Sequence, residues 1–190
     1  LGYHFGLETR IDTMKVLGIA GYSGSGKTTL VEKLVPLLVR AGLRVSLIKH
    51  AHHAFEVDYP GKDSWRHRQA GCTEVLVSSA QRWALMHELR GAPEPTLQEQ
   101  LGRLGPCDLV LVEGWKFDPI PRIEVHRSGP DARRPLLFPD DPHVIAVATD
   151  EPLDTRLPQF GLDDAAAISQ FVLAFVAGRV GRDRPAAAAD

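Results

Sequence analysis

The chain has little cysteine, no cationic excess and no long apolar run, and each shortage removes a class of protein. Two cysteines in 190 residues, Cys72 and Cys107, exclude a disulfide-stapled scaffold, and no second thiol stands at metal-ligand spacing from either. Each precedes a strand-like run, so both are expected to be buried free thiols of a reducing compartment. With 22 Lys and Arg against 24 Asp and Glu the formal charge is −2, and no global field draws the protein to nucleic acid. No stretch approaches the ~20 apolar residues of a membrane span, and no signal-peptide pattern opens the chain. A cytoplasmic globular protein is expected. The hydrophobic content of 44% and charged content of 24% are ordinary for that class, and the length suits one α/β domain.

What is present is concentrated in Gly21-Tyr22-Ser23-Gly24-Ser25-Gly26-Lys27-Thr28, which fits the phosphate-binding pattern G-x-x-x-x-G-K-[ST] at every required position. Val16–Ala20 before it is a short apolar run of strand length, and Thr29–Val35 after it has helical spacing. Strand, glycine-rich turn and helix together let backbone N–H groups converge on phosphate oxygens, with the helix N-terminus adding partial positive charge. The expected phosphate contacts are Gly21, Ser23, Gly24, Ser25, Gly26 and Thr29, with the Lys27 ammonium on the β/γ-phosphates and the Thr28 hydroxyl on Mg²⁺.

Strand and helix patterns alternate thereafter. The first helix carries Pro36, expected to bend or bound it, and Gly42 reads as its end. Strands are expected at 43–48, 73–77, 82–86, 108–112, 122–126 and 144–148, the second and third of these forming a hairpin. Helices are expected at 61–71, capped by Asp63 or Ser64 and ended by Gly71, and at 96–104 and 163–177. The fold class implied is α/β: a P-loop NTPase core with a mostly parallel, doubly wound sheet flanked by helices. The hairpin and the Arg122 strand are expected to add antiparallel decoration. A single nucleotide-binding domain over 14–178 is expected, with 1–13 an upstream segment ahead of Met14 and 179–190 a flexible tail.

Other segments narrow the chemistry. Leu109–Val112 ends in Glu113, where P-loop proteins place the carboxylate that orients Mg²⁺ or the attacking water. Lys49-His50-Ala51-His52-His53 leaves the second strand at the sheet edge where ligands bind, so Lys49 and His50 can donate to phosphate oxygens. Three histidines in four positions could also ligate Zn²⁺, but no cysteine or carboxylate lies at ligand spacing close by. Asp58, ahead of Pro60, is either a turn former or a holder of catalytic water. Lys62, Arg66, His67 and Arg68 around Trp65 form a local cationic patch, read either as a solvated helix face or as a docking surface. Asp150, ending the strand at 144–148, can accept guanine N–H groups, although Asn-Lys-x-Asp is absent and Thr-Asp is also a common capping pair.

Taken in order, these segments resemble the molybdopterin-guanine dinucleotide biosynthesis adapter (MobB) family. The resemblance rests on the phosphate loop, Ile48–His53, Asp58, Gly61-Lys62-Asp63-Ser64 through Ala70-Gly71, Val112-Glu113-Gly114-Trp115-Lys116, Pro121–Val125 and Ala146–Asp150. Trp115 and Arg122 stand where many relatives carry phenylalanine and lysine. The resemblance implies a cytoplasmic, homodimeric GTP-binding protein with weak Mg²⁺-dependent GTPase activity, assisting the guanylyltransferase MobA, which joins GMP to molybdopterin. Glu113 and Asp58 would be its catalytic residues, Thr28 and Glu113 its metal contacts, and neither nucleic acid nor membrane a partner. The alternatives are a small-molecule kinase using the same loop and a metallochaperone GTPase using the histidines.

Overall fold

The computed structural model describes residues 14–51, 55–115, 118–129 and 135–180. Within them the chain divides into two compact units, one running to His50 and resuming at Leu101, the other Ala51–Gln100.

The first unit is a six-stranded sheet in the order β2-β5-β1-β6-β7-β8, made of β1 (Lys15–Ala20), β2 (Val45–Lys49), β5 (Leu109–Glu113), β6 (Arg122–His126), β7 (Val144–Thr149) and β8 (Gln159–Gly161). Every pairing in it is parallel. The Arg122 strand is therefore not antiparallel decoration; it sits between β1 and β7 and runs with both. β8 is too short and polar to have been read from periodicity.

Alternation along the strands assigns the two faces. Leu17, Ile19, Leu109, Leu111, Ile123, Val125, Ala146 and Ala148 line one face against two helices, α1 (Lys27–Arg40) and α4 (Ala165–Val176). Leu30, Leu34 and Leu38 on α1, and Ile168 and Val172 on α4, recur every four residues and complete a dry core. Burying each such side chain contributes about 1.5–3 kcal/mol, and this, more than helix propensity, holds α1 behind the phosphate loop. Pro36 does not end α1, which continues to Arg40. It ends where Gly42 N–H reaches the Val39 carbonyl and Leu43 N–H the Leu38 carbonyl, at 3.0 and 3.2 Å.

The second unit holds α2 (Asp63–Gln69), the hairpin β3 (Glu74–Ser78) and β4 (Trp83–His87), and most of α3 (Leu97–Leu101). β3 and β4 pair antiparallel with Leu76 opposite Leu85. Lys62, not Asp63 or Ser64, is the N-cap of α2, because its backbone is extended and the helix begins at Asp63; the Ser64 hydroxyl donates to Asp58. α3 opens with a reciprocal cap: Thr96 Oγ1 accepts from Glu99 N–H, and the Glu99 carboxylate accepts from Thr96 N–H. Of the two thiols, Cys107 is buried as expected and Cys72 is exposed.

On the far side of β6, Arg122 and Glu124 are both about 1% exposed. Arg122 pairs with Asp141 at 3.1 Å, and the two Glu124 oxygens accept from the backbone N–H groups of Leu137 and Phe138 at 2.8 and 2.9 Å. Burial still holds the Glu124 carboxyl above its ordinary 4.5, against the pull of those two donors. Between the unfolded and the raised value the native state binds more protons, so this group's contribution to stability falls as pH rises. Glu124→Gln cannot titrate; the melting-temperature advantage of the parent over this variant should therefore shrink as pH climbs from about 4 toward neutrality. An advantage that widens with pH would mean that the fold favours the ionised carboxylate.

Candidate functional site

The phosphate loop follows β1 because β1 ends against β6 with no room for a side chain. A Cβ on Gly21 would stand 2.3 Å from the Val125 carbonyl oxygen, and Gly21 has a φ of +140°. Only glycine fits, and the chain turns there into Tyr22–Gly26. Ser25 N–H bonds to the Tyr22 carbonyl at 3.2 Å, and Gly26, with φ +101°, is the N-cap from which α1 starts. Ser23 and Gly24 are exposed at the loop tip, and Thr28 and Thr29 are exposed in the first turn of α1.

The loop fits a polyphosphate. Lys27 Nζ donates to the carbonyls of Gly21 and Tyr22 at 3.0 and 2.8 Å, which suspends the ammonium over the loop. The Ser25 hydroxyl is buried without a hydrogen-bond partner, a polar atom that a phosphate oxygen would satisfy. Among the described residues three buried side-chain atoms lack such a bond, and this is the one inside the loop.

Register brings the acid to the loop. β5 lies between β1 and β2, with Glu113 opposite Ile19 on one side and Lys49 on the other. Glu113 is buried, and its Oε1 accepts from Thr28 Oγ1 at 2.8 Å while Oε2 stands 3.7 Å from Lys49 Nζ. The residues expected as Mg²⁺ contacts thus meet directly. The hydroxyl and carboxylate are hard oxygen donors, the type that a magnesium ion with several retained waters accepts. The next residue, Gly114, has φ +93°, and a Cβ there would stand 3.0 Å from the His50 carbonyl. His50 N–H in turn bonds to the Glu113 carbonyl at 2.9 Å, and its ring packs on Trp115 at 4.8 Å. Lys49 and His50 therefore flank the acid. His52 and His53 lie outside the described residues, as does Lys116. Among the described residues no three His, Cys, Asp or Glu gather as a metal cluster.

Asp150 follows β7 and lines an open cleft of about 620 Å³ whose walls include Arg127, Thr149, Leu162, Asp163 and Asp164. Its Oδ1 already accepts from Ser128 N–H at 2.8 Å and Ser128 Oγ at 2.7 Å, and these donors hold its carboxyl below the usual range. Oδ2 faces Arg127 at 4.0 Å. Asp150 therefore stands just past β7 with one oxygen committed. Arg127 and Ser128 were missed from sequence because they follow a strand whose alternation ends at His126; the available signal was a cation one residue past a strand that neighbours the phosphate loop.

Asp58 belongs to the second unit, where its carboxylate accepts from Ser64 Oγ at 2.9 Å and from Tyr59 N–H at 3.1 Å. It also faces Arg68 Nε at 3.5 Å. Arg68 is not part of an open cationic patch. Its guanidinium is buried, bonded to Glu56 at 2.6 Å and Glu88 at 2.7 Å, and these hydrogen bonds raise its pKa further. Arg90 donates to the Arg68 and Cys72 carbonyls at the end of α2. The patch is thus split: Lys62, Arg66 and His67 are exposed, Trp65 is half-buried, and Arg68 is the hub of its unit. Arg68→Gln should lower the melting temperature markedly because three carboxylates lose their shared cation, whereas Arg66→Gln, which breaks only an exposed 3.9 Å pair with Asp63, should leave it nearly unchanged. Equal melting curves for the two variants in a thermal scan would contradict this.

Comparison with known proteins places this geometry. Residues 16–150 match the family described as Molybdopterin guanine dinucleotide synthesis protein B. The molybdopterin-guanine dinucleotide biosynthesis adapter protein of Haemophilus influenzae is 46% identical over 161 residues, covering 83% of this chain and 86% of that one. The adapter protein of the same description from Escherichia coli K12 is 44% identical over 160 residues, covering 83% and 91%. The crystal structure of a MobB protein homolog from Bacillus stearothermophilus superposes with a TM-score of 0.66 at 29% identity, covering 86% of this chain and 99% of that one.

Proposed function

This chain belongs to the molybdopterin guanine dinucleotide synthesis protein B family, and from that premise we propose that it is a GTP-binding adapter of molybdenum cofactor biosynthesis, assisting the guanylyltransferase MobA in the cytoplasm. The observation that carries the nucleotide part is the 2.8 Å bond between Thr28 Oγ1 and Glu113 Oε1 at the mouth of a P-loop. It brings together a hydroxyl and a carboxylate, hard oxygen donors that would suit Mg²⁺.

In this reading the loop N–H groups from Gly21 to Thr29 and the Lys27 ammonium hold the phosphates. Thr28 and Glu113 would hold Mg²⁺, which would supply neutralising charge to the phosphates. Lys49 limits the negative charge that Glu113 presents, and His50 braces the Glu113 backbone. A side chain placed to activate water strongly is not part of this set, which accords with slow hydrolysis by a switch whose nucleotide state sets partner affinity. Asp58, with its carboxylate already engaged, serves such a switch better as an anchor for the segment after His53 than as a base. Guanine preference is assigned to Asp150, just past the end of β7. The hairpin presents Leu76, Trp83 and Leu85 to solvent at 50–69% exposure, an apolar face suited to a second copy in a homodimer.

Lys27→Ala should weaken GTP binding by about 2–4 kcal/mol with the fold intact, because a desolvated charge contact to phosphate is lost; calorimetry giving unchanged affinity would remove Lys27 from the site. Glu113→Gln keeps shape and removes charge, so GTP turnover should fall on the order of tenfold or more while GDP affinity changes far less. The adapter role is tested by co-precipitation with the guanylyltransferase with and without GTP and Mg²⁺. Retention that ignores nucleotide, or no retention, would count against a nucleotide-set adapter.

A further inference from the structure

Arg127 is the residue that the family pattern and the phosphate-loop logic leave without a role. β6 lies between β1 and β7, with Glu124 opposite Ala20 and His126 opposite Thr149. The residue after β6 therefore emerges between the end of the phosphate-loop strand and Asp150. One guanidinium spans that gap: its Nη2 lies 3.6 Å from where a Cβ on Gly26 would stand, and its Nη1 lies 4.0 Å from Asp150 Oδ2. The group is 52% exposed and opens into the cleft beside Leu162.

The other ionic groups lining this cleft are carboxylates, and each has a structural bond. Asp163 is bonded to Lys33 at 2.8 Å, Asp164 caps α4 through Ala167 N–H at 2.9 Å, and Asp150 holds Ser128. Carboxylates alone would repel a nucleotide, so Arg127 is what makes the cleft hospitable to one. After β7 the chain reads Thr149-Asp150-Glu151-Pro152, with no lysine whose stem could cover a base.

We propose that Arg127 lays the plane of its guanidinium on the purine ring of the bound nucleotide, with Asp150 holding the guanidinium from its edge. This deepens the GTP reading above and rests on it. The phosphates already have Lys27 and the loop N–H groups, and Arg127 reaches from Gly26 away toward Asp150, where the nucleoside half would lie. A guanidinium whose edge faces a carboxylate keeps its flat, weakly hydrated faces for stacking.

The test compares Arg127→Ala, Arg127→Phe and Arg127→Lys with the parent, each first verified as folded by its melting curve, for binding of GTP, GDP, ATP and inorganic tripolyphosphate. Alanine should weaken GDP and GTP binding about tenfold, the scale of a partly desolvated cation–π contact, and leave tripolyphosphate affinity unchanged. Phenylalanine should retain most nucleotide affinity, and lysine less. The proposal is overturned if alanine weakens tripolyphosphate as much as nucleotide, if lysine restores binding and phenylalanine does not, or if alanine changes nothing. A parent that binds ATP and GTP equally, with both lost in the alanine variant, would sink guanine preference and leave the stacking role standing. A parent that binds nucleotides no better than tripolyphosphate would sink both.

Discussion

The contact between Thr28 and Glu113 organises the first unit, because it can form only if two strands and a helix are in register. Glu113 reaches the phosphate loop by standing opposite Ile19 in a parallel pairing of β1 and β5, one step from where β1 gives way to the loop. Thr28 reaches it because Leu30, Leu34 and Leu38 press α1 onto the sheet face that Leu109, Leu111 and Glu113 share, which fixes the height of its first turn. A slip of one residue in β5 would turn Glu113 away from Thr28 and replace the core-facing Leu109 and Leu111 by Val110 and Val112. The same hydrogen bond that marks the site therefore also reports that the sheet has paired correctly.

Glycine at two positions supports this arrangement from outside. Gly21 lets the loop leave β1 against the Val125 carbonyl, and Gly114 lets the chain leave Glu113 against the His50 carbonyl. Neither tolerates a Cβ without moving backbone, so the two exits that frame the candidate phosphate site are fixed sterically as well as by hydrogen bonds.

Much of this was legible in the sequence, since it rests on local patterns. The phosphate loop, the apolar strands, the Gly42 and Gly71 helix ends, the hairpin and the strand-terminal position of Glu113 all follow from spacing within a dozen residues. What the sequence hid was long-range pairing. The direction of the Arg122 strand depends on its neighbours β1 and β7, and a strand reads the same either way. Arg68 looked like one cation in an exposed row, and only the approach of Glu56 and Glu88 from elsewhere in the chain makes it a buried hub. Asp150 was recognisable as a strand-end acid, but its bond to Ser128 and its facing of Arg127 depend on β6 and β7 lying side by side. The capping residue of α2 was misread because the helix starts at Asp63, which leaves the half-turn position to the extended Lys62 and puts Ser64 inside the first turn.

Pro36 gives α1 an uneven stability along its length. Proline carries no N–H, so the ladder of i to i−4 bonds lacks the rung that would run from residue 36 to the Glu32 carbonyl. Openings that begin at the exposed Arg40–Gly42 end meet this gap before they reach Lys27–Val31, and the turn that carries the phosphate loop is tied to the sheet on the near side of it. Local unfolding follows such breaks in cooperativity. The hydrogen-bonded backbone amides from Leu30 up to the proline should thus exchange with solvent on the slow clock of the whole sheet, and those beyond Pro36 on a faster clock of their own.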